Sequence, residues 1–175
     1  MITTPWHQMT ARERARWIFD HWKLAIPMIV VVIAYVVMTL PVFAPLPVMP
    51  NLALLLVLLW TLYRPQQMPE WTGLPMGLAG DILLGTPIGA NGLLLPLFMM
   101  LVRYADGQVR RTSWIGDWVF SIPMLFVYHL VLWKLCAIVA DPIPLLPLAT
   151  QTAATVAVYP LVAHIFARAQ RRWAP

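Results

Sequence analysis

Long apolar runs and short polar breaks alternate along the chain, and their spacing predicts its elements. Apolar stretches fall at about 24–43, 48–63, 71–85, 91–102, 118–140 and 148–167, each read as a membrane-spanning helix. At ~1.5 Å per residue the first is long enough to cross a ~30 Å hydrocarbon core. A different pattern precedes it. Over 10–23, Ala11, Ala15, Ile18 and Trp22 recur at helical spacing opposite Glu13, Arg16, Asp20 and Lys23, and Thr10 and Glu13 have the separation of a capping box. That stretch is expected to lie on the membrane surface as an amphipathic helix, with a basic tail that only anchors topology as the alternative.

The breaks carry their own signals. Pro41, Pro45, Pro47 and Pro50 make an uncharged connection that no helix continues through, and Asp141-Pro142-Ile143-Pro144 with Pro147 makes a second. Either could form a rigid docking surface or simply end helices. The third run is the weakest: some fifteen residues, ~22 Å long, with Pro75, Gly77, Gly80 and Asp81 inside it. So short and glycine-rich a helix is expected to pack inside a bundle, where small residues let backbones approach closely.

Composition fixes the class. Hydrophobic residues make up 61% of the 175 and charged residues 11%, against roughly 25% charged in an average soluble domain. So much apolar surface has to face lipid, which makes 1–175 a single integral membrane domain. The lone Cys136 excludes an internal disulfide framework. No small-residue cleavage site follows the first run, so it reads as a span and not as a removed signal.

Charge then sets orientation. With six spans both termini share one side, and every Lys and Arg except Lys134 falls there, in the ends and the polar loops. The positive-inside rule makes that side cytoplasmic. Trp60, Arg64 and Pro65 read as interfacial anchors ending the second span. Basic residues separated by apolar runs are a topology signal, so the net charge of +5 points to the bilayer and not to nucleic acid.

Candidate chemistry is concentrated in 77–91, GLAGDILLGTPIGAN. Asp81 is an ionisable group at membrane depth, which costs several kcal/mol and calls for a reason. Counting from Trp71 and from Trp118 puts Asp81 ~15 Å and His129 ~16 Å deep, so the two could pair. Lys134 comes out ~24 Å deep, near enough to the far interface to snorkel. A proton or ion relay would use such groups. The alternative is one buried carboxylate satisfied by a histidine, by Tyr128 or by free backbone groups beside Gly80 and Gly85. No Gly-x-Ser-x-Gly, His-Glu-x-x-His or phosphate-cradling glycine loop is present. Cys136 and the unevenly spaced methionines read as packing, so no cofactor, metal or catalytic residue is expected.

The run 50–91 resembles the MreD family of rod shape-determining membrane proteins. The resemblance rests on Pro50 before an apolar helix, Trp60, Arg64-Pro65, and then Gly77, Gly80, Asp81, Gly85, Pro87, Gly89 and Asn91 in their glycine–aspartate pattern. Beyond Arg103 hydropathy alone extends it. It implies an all-α bundle of six transmembrane helices, both termini cytoplasmic, similar in fold to the substrate-binding components of energy-coupling-factor transporters. It further implies a non-enzymatic scaffold of the cell-elongation (peptidoglycan-synthesis) complex in the bacterial inner membrane. MreC would be the direct partner, with MreB, RodA and a penicillin-binding transpeptidase in the same complex. A vitamin-type carrier subunit with Asp81, Asn91 and His129 lining a central cavity is the second reading; otherwise no small-molecule substrate is expected. An enzyme acting on lipid-linked precursors lacks a nucleophile or a paired acid and base.

Overall fold

The computed structural model describes residues 10–40, 49–109, 113–139 and 145–173. Helices account for nearly all of them: α1 Ala11–Thr39, α2 Leu52–Tyr63, α3 Gly73–Leu84, α4 Ala90–Gln108, α5 Trp114–Val139 and α6 Leu145–Trp173. No strand occurs among the described residues. Most of both proline-rich connections (41–48 and 140–144), Arg110 and Arg111, and the side chains of the amphipathic stretch 11–24 lie outside the description.

The helices differ from expectation mainly at their ends. The backbone of α1 runs unbroken from Ala11 through Pro27 to Thr39, where a surface helix followed by a separate span was expected. At α2 the start moves from 48 to Leu52. Asn51 caps the helix there, its side-chain oxygen accepting from the Leu54 N–H at 3.0 Å. Two 3-10 turns, Pro65–Gln67 and Glu70–Thr72, occupy the break before α3. Helix α4 continues past the expected end at 102 to Gln108. The Arg103 charge does not stop it, because the guanidinium folds back onto the 65–70 connection.

Helix α2 is the hub. It is apolar on every side, and Ala53, Leu54, Leu55, Val57, Leu58, Leu59, Trp60 and Thr61 are all buried. A helix apolar all round belongs in a core, and this one touches α1, α4 and α6. The Asn51 N–H donates to Thr155 Oγ1 of α6 at 2.9 Å, and the Trp60 ring meets Phe166 of α6 edge-on, centroids 5.1 Å apart. Around the hub, α3 packs chiefly on α4, and α5 on α6 and α4.

Outward-facing side chains are largely apolar, including Ile29, Ile33, Leu93, Leu97, Phe126, Ile138, Leu161 and Ile165. Helices 114–139 and 145–171 are long and apolar enough to cross a membrane, by length and composition, and only a small share of their residues is buried. Helix α3 buries one face only: Gly73, Met76, Gly77, Gly80 and Asp81 point inward while Leu74 and Ile82 are exposed.

Candidate functional site

Helix α3 places the site. Gly73, Gly77 and Gly80 lie at i, i+4 and i+7, one stripe on a 3.6-residue helix. Along it α4 approaches so closely that a Cβ at Gly77 would stand 2.2 Å from the Asn91 carbonyl oxygen. A Cβ at Gly73 would stand 2.7 Å from the Pro96 nitrogen, and one at Gly80 2.8 Å from the Tyr35 ring of α1. Asp81 continues this stripe one turn after Gly77, so its carboxylate lies against the start of α4.

Between the two helices the chain reverses over 85–89. Gly85 ends α3 at φ 69° and Gly89 precedes α4 at φ 94°, both left-handed, which side-chain-bearing residues rarely adopt. Pro87 adds a turn bond, its carbonyl accepting from the Ala90 N–H at 2.9 Å. A helix start leaves N–H groups without intrahelical acceptors, and Gly89 at the N-cap has no side chain to supply one. Asp81 supplies it from the neighbouring helix.

Five donors converge on its carboxylate. Oδ1 accepts from Thr86 Oγ1 (2.6 Å), the Asn91 N–H (3.0 Å) and Asn91 Nδ2 (2.9 Å). Oδ2 accepts from the Gly89 N–H (2.8 Å) and the Gly92 N–H (3.2 Å). All five partners are donors, the set that an acceptor-only carboxylate takes. Negative charge here also faces the positive end of the α4 dipole. Asp81 is 1% exposed, so these bonds replace its hydration.

The network reaches a fourth helix through Asn91. Its Nδ2 also donates to Thr86 Oγ1 at 3.0 Å, and its Oδ1 accepts from the Tyr128 hydroxyl of α5 at 2.6 Å. Tyr128 is held by an edge-on contact with Phe98 of α4, centroids 5.1 Å apart. With Tyr35 stacked over Gly80, α1, α3, α4 and α5 all meet around Asp81.

His129 is not the partner of Asp81. Its Nδ1 bonds the Leu125 carbonyl at 2.9 Å, and its buried Nε2 has no partner among the described residues. Depth counting carries no azimuth. One residue turns a helix by about 100°, so Tyr128 faces α4 while His129 faces α6. The expected anchors divide as well. Trp60 is buried against Phe166, whereas Arg64 ends α2 with its N–H on the Trp60 carbonyl and Pro65 opens the exposed turn that follows.

A second polar clasp, not singled out from sequence, closes the other end of the α3–α4 pair. Arg103 of α4 donates from Nη1 to Glu70 Oε1 at 3.1 Å, and from Nη2 to the Pro65 carbonyl at 3.1 Å and to the Met68 carbonyl. Gly73 and Gly92 were missed too; Gly73 lies one turn before Gly77 on the same face of α3. Among the described residues no three His, Cys, Asp or Glu side chains gather as metal ligands would.

Comparison with known proteins adds one match. The family model described as rod shape-determining protein MreD matches residues 20–166. No curated protein and no solved structure matches the chain.

Proposed function

The chain belongs to the MreD family, and from that premise we propose that it is a non-catalytic scaffold of the bacterial cell-elongation complex. Membership gives a membrane protein with a role in rod-shape determination. The proposal adds six spans of the inner membrane, both termini in the cytoplasm, and an MreC-like protein as direct partner. Through that partner the scaffold works with MreB, RodA and the penicillin-binding transpeptidase.

One observation carries the non-catalytic part. A carboxylate that relays protons or binds a substrate needs an oxygen facing its target, and both oxygens of Asp81 are taken up by donors from 86–92. The group is therefore spent on shape: it locks the α3–α4 hairpin, which Asn91 in turn ties to Tyr128 of α5. The apolar outer faces then serve packing with lipid and with a partner's helix, driven by close contact and not by polar recognition.

A carrier subunit would instead need several polar groups lining a cavity of at least ~300 Å³. Asp81 and Asn91 bond each other, and the groove of about 290 Å³ between α1, α2 and α6 is lined by Val30, Ile33, Val37, Leu52, Leu56 and other apolar side chains. This favours the scaffold. The deciding experiment is affinity purification of the wild-type chain in mild detergent with identification of what accompanies it. An MreC-like protein is the expected result, and a pair of ATPases would overturn it.

A further inference from the structure

Two hydrogen bonds fix where the short helices begin against the long ones. The Asn51 N–H, just before α2, reaches Thr155 Oγ1, ten residues into α6. Asn91, at the start of α4, accepts from Tyr128, eleven residues before α5 ends. At ~1.5 Å per residue, both long helices continue about 15 Å past these points. Helix α1 ends at Thr39, one turn beyond the Tyr35 ring that lies against Gly80. Among the described residues, then, α1 to α4 stop at one level, and α5 and α6 rise beyond it as the wall of a step.

We propose that this step seats a membrane helix of the partner, held by apolar contact with α5 and by a hydrogen bond to Gln151. The inference rests on the scaffold reading with its six spans, and narrows the partner's contact to one face. From Trp118, α5 runs ~31 Å to Val139, a full hydrocarbon thickness, so the 85–89 turn lies near the middle of the bilayer. Gly85 is exposed there, and Ile88 is 84% exposed. Irregular backbone at that depth needs protein or water over it, because acyl chains cannot bond the free carbonyls of a helix end. Water does not suit the wall. Val131, Leu135 and Val139 follow Tyr128 at i+3, i+7 and i+11, so the face that meets α4 lower down is aliphatic above it. A helix suits both surfaces, with apolar side chains for the wall and polar groups for the floor. Gln151 marks the same place. Thr155 bonds its backbone carbonyl, while its half-buried side-chain amide has no partner among the described residues. An amide at membrane depth is costly unbonded, and such groups bond across helices. It lines a crevice of about 140 Å³ with Leu132, Cys136 and Leu148, close to the ~150 Å³ that takes benzene and so room for one partner side chain.

Photo-cross-linking in bacterial cells tests it on the full chain. Benzoylphenylalanine replaces Leu135, or Val139 where bulk at 135 disturbs folding. The control position is Phe126, exposed and two residues before Tyr128, hence on the opposite face of α5. The probe is the MreC-like protein that co-purifies with the wild-type chain in mild detergent. Its membrane helix should carry the adduct from the wall at severalfold higher yield than from Phe126. Gln151→Leu, matched for folded chain, should lower that yield about fivefold, the worth of one net hydrogen bond. With the partner still co-purifying, equal yields from the two faces, adducts confined to lipid or to the chain itself, or a yield unmoved by Gln151→Leu each overturn this proposal alone. Absence of the MreC-like protein from the wild-type eluate overturns the scaffold reading, and the proposal with it.

Discussion

Asn91 gives both of its nitrogens to one oxygen of Asp81: the backbone N–H and the side-chain amide reach Oδ1 at 3.0 and 2.9 Å across the chain reversal. Two residues ten apart thereby lock the turn between α3 and α4. In Asp81→Asn one oxygen becomes an NH₂ facing N–H donors, and the charge opposite the α4 dipole is lost. The variant should unfold with about 3 kcal/mol less stability, the cost of breaking a buried charged hydrogen-bond set. Denaturant titration in detergent measures it, and an unchanged midpoint would remove the pin role.

Close approach and backbone conformation make separable demands on the glycines. Gly77→Ala puts a methyl 2.2 Å from a backbone oxygen that cannot swing aside, and should cost about 3 kcal/mol. Gly85→Ala meets nothing within 4 Å and has only its φ of 69° to sustain, at about 1 kcal/mol. The same titration ranks them, and the reverse order would contradict the packing described.

Tyr128, and not His129, should couple to the network. Tyr128→Phe leaves Asn91 Oδ1 buried without its donor and should cost about 1–2 kcal/mol. A double-mutant cycle with Asn91→Ala should show a coupling near ~1 kcal/mol, while Asp81→Asn and His129→Leu should add to within ~0.5 kcal/mol. Strong coupling in the second cycle would restore the carboxylate–histidine pair.

At the opposite end of the hairpin, Arg103 acts through carbonyls more than through its ion pair. Arg103→Gln should cost about 2 kcal/mol, since the Pro65 and Met68 carbonyls lose their charged donor. Glu70→Gln removes only a part-exposed ion pair and should cost under ~1 kcal/mol. Equal losses in unfolding titrations would mean that the ion pair carries the clasp.

What the sequence disclosed followed from what periodicity encodes. Six apolar helices and the glycine-flanked Asp81 were legible, because hydropathy and turn chemistry are local. The end of α4 was not, since Arg103 reads as a polar stop until the carbonyls it returns to are in place. Trp60 read as an interfacial anchor by its place beside Arg64, but the Phe166 ring that buries it belongs to the last helix. Axial depth matched Asp81 with His129 and carried no azimuth, and only packing turned Tyr128 and not His129 toward the network. The backbone donors of Asp81 were not legible: groups beside Gly80 and Gly85 were expected, whereas those that bond it are the N–H groups of Gly89, Asn91 and Gly92 at the start of α4.

The central claim, that Asp81 serves assembly through shape, is tested most directly by partner recovery. Wild-type and Asp81→Asn chains, matched for folded protein, are affinity-purified in mild detergent and the MreC-like partner is quantified on each. The account predicts clear recovery on the wild type, severalfold less on the variant, and loss of rod shape in cells carrying it. Equal recovery together with normal rods would contradict it.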